Sequence, residues 1–258
     1  MEITNRHVLI TGASRGIGRA FAKICAEDKA NLHLVLRKKD DEVIKEFESL
    51  GAKSVNIWEA DLSTREGVEH LLEQIKDVPV DILFNNAGVL TGGLIEEQPI
   101  DDVYKMLQVN VNALVHLTQG VLPGMLKRKR GKIINNSSVS AYMNFPCAST
   151  YAASKAAVMA FTNCIRLELK DTGVSTLLLI TPGIKTRMFD EIETLYSKNF
   201  VIPSESMTPG KYAEVIREAV LHDLEVVEPS GLTGVGLKIA KLAKPLFEME
   251  VMRRFKRS

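Results

Sequence analysis

Short apolar runs alternate along this chain with longer segments in which apolar residues recur at helical spacing. Such short runs of Val, Ile and Leu are typical of buried strands, and the longer segments are typical of helices. Two consecutive strands can pair in parallel only if the connection between them is long enough to hold a helix. The alternation therefore predicts a parallel sheet with helices on both faces. The predicted strands are 7–11, 32–36, 55–58, 81–85, 132–136 and 175–180, with a weaker one at 224–227, and the predicted helices are 16–28, 40–50, 64–76, 100–129, 151–171 and 209–222.

Composition and charge are those of one globular domain spanning residues 1–258. The chain is 45% hydrophobic and 25% charged, and no linker or repeat interrupts the alternation. A formal net charge of +1 gives no reason to expect nucleic acid as a partner. The three cysteines are too scattered for a disulfide framework or a metal site, and no secretory signal or membrane-spanning run is evident. We therefore expect a cytoplasmic protein without a metal.

A glycine-rich turn, TGASRGIG, joins the first predicted strand to the first predicted helix. Its three glycines allow unusual backbone angles and let the backbone and the helix N-terminus approach a pyrophosphate. The turn predicts a dinucleotide site, and an ordinary strand-to-helix loop is the alternative. The predicted contacts in the turn are Gly12, Ser14, Arg15, Gly16, Ile17 and Gly18.

The choice of cofactor depends on the residues that end the second strand. Folds that select NAD place a carboxylate there, on the ribose 2′-hydroxyl. Here that position holds Leu36, followed by Arg37. Together with Arg15, Arg37 offers a guanidinium to a 2′-phosphate, so NADP(H) is the predicted cofactor. NAD(H) is the alternative, because Asp40 or Asp41 could reach the ribose.

Short motifs follow the glycine turn in a characteristic order and spacing. They are Asp61 after the third strand, NNAG at 85–88, Asn110 in LQVNVNA, Ser138 in NNSSVSA, and YAASK at 151–155. Together they resemble the short-chain dehydrogenase/reductase family over nearly the whole chain, up to about residue 227. The resemblance implies an α/β, Rossmann-type, doubly wound sheet and an oxidoreductase acting on CH–OH donors with NAD(P). It also implies a homodimer or homotetramer built on the helices near 100–129 and 151–171.

Tyr151 and Lys155 are the predicted proton-transferring pair. A tyrosine ordinarily titrates near pH 10, so exchange at neutral pH requires a nearby positive charge that favours the phenolate. Lys155 lies four residues after Tyr151 in a predicted helix, which puts both side chains on one face. We expect the ammonium to lower the pKa of Tyr151, making it a general acid in reduction and a general base in oxidation.

Ser138 and Asn110 complete the predicted catalytic set. The Ser138 hydroxyl, at a strand end, is expected to bond the substrate oxygen and stabilise charge that develops there. Ser137 is its neighbouring competitor, and the distance to Tyr151 that matches the family favours Ser138. Asn110 resembles the family asparagine that extends a proton path from the lysine through a water, with Asn112 as the nearby alternative.

The resemblance also assigns cofactor contacts outside the glycine turn. Asp61 resembles the carboxylate that meets the adenine amino group, and Lys155 resembles the lysine that bonds the nicotinamide ribose. The segment TPGIKTRM is similar to the family's PG segment and its carboxamide-binding threonine, with an interval one residue shorter. The remaining implied contacts are Leu62, Asn86, Ala87, Gly88, Tyr151, Pro182, Gly183 and Thr186.

The stretch 187–207 is predicted to be a substrate lid, because it follows the PG segment and has little turn chemistry. Its apolar side chains predict an apolar pocket for a hydrophobic or aromatic ketone, aldehyde or secondary alcohol. The alternative is that these side chains only pack the lid against the body of the protein. Cys147 borders this pocket and is not expected to be a nucleophile. The apolar residues are Met188, Phe189, Leu195, Tyr196 and Phe200 in the lid, with Met143 and Phe145 after Ser138.

The C-terminal extension, 232–258, has seven Lys or Arg residues against two Glu, a net charge of +5, which leaves −4 on the remainder. Apolar residues are interleaved with the basic ones, and Pro245 is expected to break the segment into two short helices. One hypothesis is a peripheral membrane contact or a cover over a lipophilic substrate. The alternative is a solvated basic helix that packs on the body or on a partner subunit.

Taken together, the sequence predicts an NADP(H)-dependent carbonyl reductase or secondary alcohol dehydrogenase. Reduction is the favoured direction, because cells hold this cofactor mainly as NADPH. A non-catalytic NADP(H)-sensing or scaffold protein on the same fold is the alternative. The presence of Ser138, Tyr151 and Lys155 together favours the enzyme, since a sensor does not need the full set.

Overall fold

A parallel sheet forms the centre of the computed structural model, which describes residues 1–196, 198–200 and 206–257. Within these residues the sheet has seven strands in the order β3-β2-β1-β4-β5-β6-β7. The order reverses between β1 and β4, which is where such folds bind ligands at the carboxyl ends of the strands. The strands are β1 (His7–Thr11), β2 (Asn31–Leu36), β3 (Ser54–Glu59), β4 (Ile82–Asn85), β5 (Gly131–Asn136), β6 (Val174–Leu179) and β7 (Val226–Val227).

Helices cover both faces of the sheet. Along β1, Val8 and Ile10 point to one apolar layer and Leu9 to the other, because successive strand residues face opposite sides. The helices are α1 (Gly16–Glu27), α2 (Asp41–Ser49), α3 (Arg65–Gln74), α4 (Ile100–Leu107), α5 (Ala113–Arg128), α6 (Ser149–Glu168), α7 (Arg187–Tyr196), α8 (Pro209–Leu221), α9 (Gly231–Leu242) and α10 (Lys244–Arg254). The first layer is completed by α1, α2 and α8, and the second by α3 and α5.

The predicted helix 100–129 is interrupted. A π-helical segment, Gln108–Asn112, separates α4 from α5. The wider π turn shifts the helix register and is frequent at functional sites. It carries Asn110, which is 1% exposed and points into the molecule.

The C-terminal extension forms two helices, as its sequence predicts. The first, α9, ends at Leu242, and α10 starts at Lys244 with Pro245 in its first turn. Their inner side chains, among them Leu237 and Val251, are buried. Among the described residues, no helix is long and apolar enough to cross a bilayer.

Candidate active site

The glycine turn lies between β1 and α1, at the carboxyl edge of the sheet. Gly12 and Gly16 have φ values of +67° and +60°, which other residues rarely adopt. A Cβ on Gly18 would lie 2.6 Å from the carbonyl oxygen of Gly12, so this position also requires glycine. No side chain of the described residues caps the N-terminus of α1, whose first amides are therefore available to an anion.

Hydrogen bonds from the NNAG segment connect the end of β4 to the glycine turn. The Thr11 hydroxyl accepts hydrogen bonds from the backbone amides of Asn86 and Ala87, at 3.0 and 2.9 Å. The Asn86 side chain donates to the carbonyl oxygens of Thr11 and Gly12, at 3.0 and 3.2 Å. It also accepts a hydrogen bond from Asn136 at the end of β5. These bonds hold the ends of three neighbouring strands in one arrangement around the turn.

Tyr151, Lys155 and Ser138 lie together at the same edge. Tyr151 is in the first turn of α6, Lys155 follows one turn later, and both are buried. The Lys155 ammonium lies 5.7 Å from the centre of the Tyr151 ring and donates to the Asn136 carbonyl oxygen at 2.9 Å. Ser138 hydrogen-bonds to the Tyr151 hydroxyl. Ser137 instead donates to the Lys155 carbonyl oxygen at 2.8 Å, so Ser138 is the serine that faces Tyr151.

Burial governs the titration of this pair. It raises the pKa of Tyr151 to about 12, although the hydrogen bond from Ser138 acts in the opposite direction. It lowers the pKa of Lys155 to about 8. The expectation of a lowered Tyr151 pKa is therefore wrong for this structure, because desolvation, which disfavours the charged form of both groups, outweighs the interactions that favour the phenolate. At neutral pH Tyr151 keeps its proton and is able to donate it.

The shifted lysine makes folding stability depend on pH. Between about pH 8 and pH 10.5 the unfolded chain holds a proton on Lys155 that the folded chain has lost. The contribution of Lys155 to the free energy of unfolding should therefore rise with pH in this window, by at most about 1.4 kcal/mol per pH unit. Lys155→Met should lack that contribution. Urea unfolding of both proteins from pH 7 to pH 10 measures it, and a difference between them that stays constant with pH would contradict the assignment.

Asn110 is held beside Lys155 by the π-helical segment. Its side-chain amide donates to the Val89 carbonyl oxygen at 3.0 Å and to the Ser154 hydroxyl at 3.1 Å, and its oxygen accepts from the Val89 amide at 2.9 Å. A Cβ on Gly88 would lie 3.4 Å from this oxygen and 3.8 Å from the Lys155 ammonium, so both groups flank Gly88. Asn112 bonds to Gln108 on the exposed side of the helix. The structure thus brings Asn110, and not Asn112, to the site.

The predicted adenosine end of the site is open and charged. Arg15, Arg37 and Asp61 are all exposed. The Asp61 carboxylate accepts hydrogen bonds from the Ser63 hydroxyl and amide, at 2.7 and 2.9 Å, which lower its pKa, and Lys105 and Arg37 add smaller contributions in the same direction. Leu62 beside it is buried. Asp40 caps α2 by accepting from the Glu42 amide at 3.1 Å, so one of the two carboxylates that could meet a ribose has another partner.

The PG segment lies against the glycine turn. A Cβ on Gly16 would lie 3.2 Å from the Thr186 methyl group, which places Thr186 beside the turn. The Gly183 carbonyl oxygen accepts from the Met207 amide at 3.0 Å, and Ile184 is buried next to it. The structure therefore brings Pro182, Gly183 and Thr186 to the same edge as Gly12 and Gly18.

Aromatic side chains from three parts of the chain form the outer wall of the site. The Phe145 ring lies 5.8 Å from the Phe200 ring and 5.9 Å from the Phe247 ring of α10. Phe200 forms an antiparallel bridge with Phe255. Residues 197 and 201–205 of the predicted lid lie outside the described residues. The sequence did not suggest the contribution of Phe255, since only the fold brings it to the lid.

The C-terminal extension is bonded to the predicted lid by its backbone. The Lys256 amide donates to the Asn199 carbonyl oxygen at 2.8 Å, and the Asn199 side chain donates to the Lys256 carbonyl oxygen at 3.0 Å. Arg257 forms an ion pair with Glu96. The extension therefore packs on the aromatic residues beside the site and also forms a surface of its own.

Cys147 is poorly suited to act as a second reactive centre. Burial raises the pKa of its thiol, which makes the thiolate scarce at neutral pH. Among the described residues, no three His, Cys, Asp or Glu side chains lie together in a way that could hold a metal ion.

Comparison with known proteins identifies the family. Residues 6–196 match the family model described as short chain dehydrogenase. A short chain dehydrogenase of Pseudocercospora fijiensis is 34% identical over 188 residues, which are 70% of this chain but only 60% of that protein. An NADP-dependent 3-hydroxy acid dehydrogenase of Schizosaccharomyces pombe is 31% identical over 236 residues, 88% of this chain and 91% of that protein. A solved structure from Beutenbergia cavernae, with bound NADP at low occupancy, has a TM-score of 0.75 at 26% identity and covers 84% of this chain and 90% of that one.

The chain belongs to the short-chain dehydrogenase/reductase family and is an oxidoreductase. The predictions of the family and of the doubly wound α/β fold are confirmed. Membership of a family of enzymes disfavours the non-catalytic sensor or scaffold.

Proposed function

We propose that the protein is an NADP(H)-dependent carbonyl reductase or secondary alcohol dehydrogenase acting on an apolar small-molecule ketone, aldehyde or alcohol. The observation that carries the proposal is the Tyr151 hydroxyl, which is buried, protonated at neutral pH and hydrogen-bonded to Ser138, at the same sheet edge as the glycine turn. A proton donor in this position suits transfer to a carbonyl oxygen.

NADP(H) is the cofactor. Exposed guanidinium groups on Arg15 and Arg37, and the use of Asp40 as a helix cap, favour a 2′-phosphate over a free 2′-hydroxyl. The related Schizosaccharomyces pombe enzyme is NADP-dependent, and the Beutenbergia cavernae structure holds NADP. The free amides at the start of α1 and the close approach allowed by its glycines fit a pyrophosphate. The proposed contacts are Gly12, Ser14, Arg15, Gly16, Ile17, Gly18, Arg37, Asp61, Leu62, Asn86, Ala87, Gly88, Tyr151, Lys155, Pro182, Gly183 and Thr186.

The reaction adds a hydride to the carbonyl carbon and a proton to its oxygen, or reverses both. When bound, the nicotinamide supplies or accepts the hydride. Tyr151 donates the proton to the oxygen in reduction, and Ser138 bonds the same oxygen as negative charge develops there. The Lys155 ammonium stabilises the phenolate that Tyr151 becomes. Asn110, flanking Gly88 beside Lys155, holds the path by which the proton is replaced from solvent.

The wall of the site favours an apolar substrate. Phe145, Phe200 and Phe247 pack together there, and Met143 and Leu94 are buried nearby. Such a lining excludes water and favours apolar groups on either side of the carbonyl.

The test is NADPH oxidation by the purified full chain with a panel of ketones and aldehydes of increasing apolar size. We expect turnover that improves with apolar size, and a higher kcat/KM for NADPH than for NADH at a fixed substrate concentration. Tight NADPH binding without turnover across a broad panel would instead favour a cofactor-sensing protein.

The helices α4, α5 and α6 are proposed to join two or four copies of the chain. Ile100 and Tyr104 on α4 are 65% and 70% exposed, and Leu107 on the same helix is partly exposed. Apolar side chains grouped in this way are typical of subunit contacts. Light scattering on Tyr104→Glu should show a smaller assembly than the wild type, whereas a monomeric wild type would end the proposal.

The outer face of the C-terminal helices α9 and α10 is proposed to bind to an anionic membrane on its cytoplasmic side. Its exposed apolar residues alternate with basic ones, as in helices that bind to anionic membranes. A second copy of the same face is unsuited to cover it, because both copies would carry the +5 charge of residues 232–258 and repel each other. The wild type should sediment with anionic vesicles and not with zwitterionic ones, and Leu242→Ser should bind less. Equal sedimentation with both vesicles would contradict the proposal. The exposed apolar residues are Leu232, Val235, Ile239, Leu242, Leu246, Met249 and Met252.

A further inference from the structure

Tyr196 carries a buried hydroxyl group that nothing in the proposed reaction uses. It is the last residue of α7, and its side chain is 3% exposed. Within the described part of the chain, its hydroxyl oxygen has no hydrogen-bond partner. A buried polar group without a partner costs about 1–3 kcal/mol and calls for an explanation such as a ligand or a water.

The ring of Tyr196 is held in place from several sides. A Cβ on Gly92 would lie 2.3 Å from a ring carbon and 2.7 Å from the hydroxyl oxygen, so only glycine leaves room for the ring. The Gly93 amide donates to the Cys147 carbonyl oxygen at 2.9 Å, which fixes the loop beneath it. The amides of Asn199 and Phe200 donate to the Tyr196 carbonyl oxygen, at 2.9 and 2.7 Å. The hydroxyl therefore has a defined position.

This position borders the reacting groups. Tyr196 packs in one apolar cluster with Leu94, Cys147 and Ala148, and the last two immediately precede the helix that carries Tyr151. Phe145 and Phe255 of the aromatic wall pack on the same cluster. Burial raises the pKa of Tyr196 well above its ordinary value, and the negative charge of an ionised Tyr151 would raise it further. Tyr196 thus stays protonated wherever Tyr151 works.

We infer that the Tyr196 hydroxyl is a substrate-binding donor for a second oxygen of the substrate, close to the carbonyl that Tyr151 protonates. The substrate class is then an apolar carbonyl compound with a neighbouring acceptor oxygen, such as an oxo ester or oxo thioester, and not a simple hydrocarbon ketone. This inference rests on the proposed carbonyl reduction. On this inference, Tyr196 determines which carbonyl compounds the enzyme prefers as substrates.

The charges near Tyr196 favour a neutral acceptor over a carboxylate. Glu97 lies close enough to Cys147 to raise the pKa of its thiol. Arg257, a cation of the neighbouring C-terminal extension, is already paired with Glu96. A free carboxylate on the substrate would be repelled by this negative charge, so a neutral ester, thioester or amide oxygen fits better.

The test compares two substrates of equal length, a straight-chain methyl ketone and the 3-oxo ester that differs from it by the ester group. With NADPH, the wild type should prefer the oxo ester by kcat/KM. Tyr196→Phe should lower kcat/KM for the oxo ester by about tenfold or more and leave that for the ketone within about twofold, because a lost hydrogen bond affects only the substrate that made it. Gly92→Ala, which displaces the ring, should reproduce the loss.

The matched control is Tyr104→Phe, which removes the same hydroxyl from a tyrosine on α4, keeps the ring proposed for the subunit contact, and should change kcat/KM for neither substrate. Equal losses of Tyr196→Phe on both substrates would overturn the inference by showing a general role, and no loss on either would overturn it by showing that a water satisfies the hydroxyl. Failure of the proposed function looks different, since the wild type would then reduce neither compound. In that case the affinity for the oxo ester is measured by quenching of NADPH fluorescence, in the NADPH-loaded wild type and in NADPH-loaded Tyr196→Phe. Equal affinities of the two proteins would also overturn the inference.

Discussion

Replacing Tyr151 with phenylalanine should lower kcat by about 10²–10⁴-fold and leave NADPH affinity nearly unchanged. The variant keeps the buried ring at the start of α6 and removes only the hydroxyl that gives up the proton. Because burial holds the pKa of this hydroxyl at about 12, the wild-type residue is protonated throughout the neutral range and the loss should be similar from pH 6 to pH 8. Steady-state kinetics on the best carbonyl substrate of the panel, with NADPH binding followed by fluorescence, measure both quantities.

The control for this prediction is again Tyr104→Phe, which should keep wild-type turnover because it keeps the ring proposed for the subunit contact and removes a hydroxyl that is not among the proposed catalytic groups. Retention of kcat within about threefold in Tyr151→Phe would show that another group donates the proton. Tyr196, a second buried tyrosine whose pKa is affected by Tyr151, would then be the first candidate to examine.

Gly18→Ala should weaken NADPH binding by roughly 10- to 100-fold, the factor expected when an overpacked contact costs a few kcal/mol. The added Cβ would lie 2.5 Å from the Asn86 side-chain nitrogen and 2.6 Å from the Gly12 carbonyl oxygen. Relieving these contacts requires the glycine turn to move away from β4, and the bonds from Asn86 to Thr11 and Gly12 then break. Fluorescence titration with NADPH measures the affinity, and a thermal melt shows that the variant folds.

The chain offers a matched glycine for this experiment. Gly210 lies in the first turn of α8, and no heavy atom of the described residues lies within 4 Å of the position that a Cβ would take there, so Gly210→Ala adds the same group without a clash. We expect unchanged NADPH affinity and slightly higher stability, because alanine is the better helix former. If Gly18→Ala and Gly210→Ala bind NADPH equally, the glycine turn does not hold the cofactor.

The sheet and its carboxyl edge were predictable from the sequence because they depend on local patterns. Several strands are compact apolar runs, among them β1 and β4, and the glycine turn and the NNAG segment stand at the ends of these two runs. In a parallel sheet the carboxyl ends of the strands lie at one edge of the sheet, independently of the conformation of the loops. The grouping of the glycine turn with Ser138 therefore followed from topology, whereas the place of Tyr151, which lies on α6, was implied by the family resemblance.

The features that the sequence could not supply depend on register and burial. Asn110 and Asn112 are two residues apart and face different sides of a helix, so the π-helical segment decides which one enters the site. Tyr151 and Lys155 were correctly placed on one face, but the direction of the tyrosine pKa depends on desolvation, which only the packed structure reveals. The pairing of residues 199–200 with 255–256 joins segments too distant for any periodic pattern to connect.

That pairing sets an order of assembly during translation. Phe255 and Lys256 are synthesised after all seven strands, and they meet Asn199 and Phe200 only once the sheet and α10 are complete. A nascent chain therefore has every residue of its dinucleotide cleft before it has the last aromatic ring of its substrate wall. Ribosome-bound chains of this enzyme should acquire affinity for nucleotide first and selectivity for the carbonyl compound last.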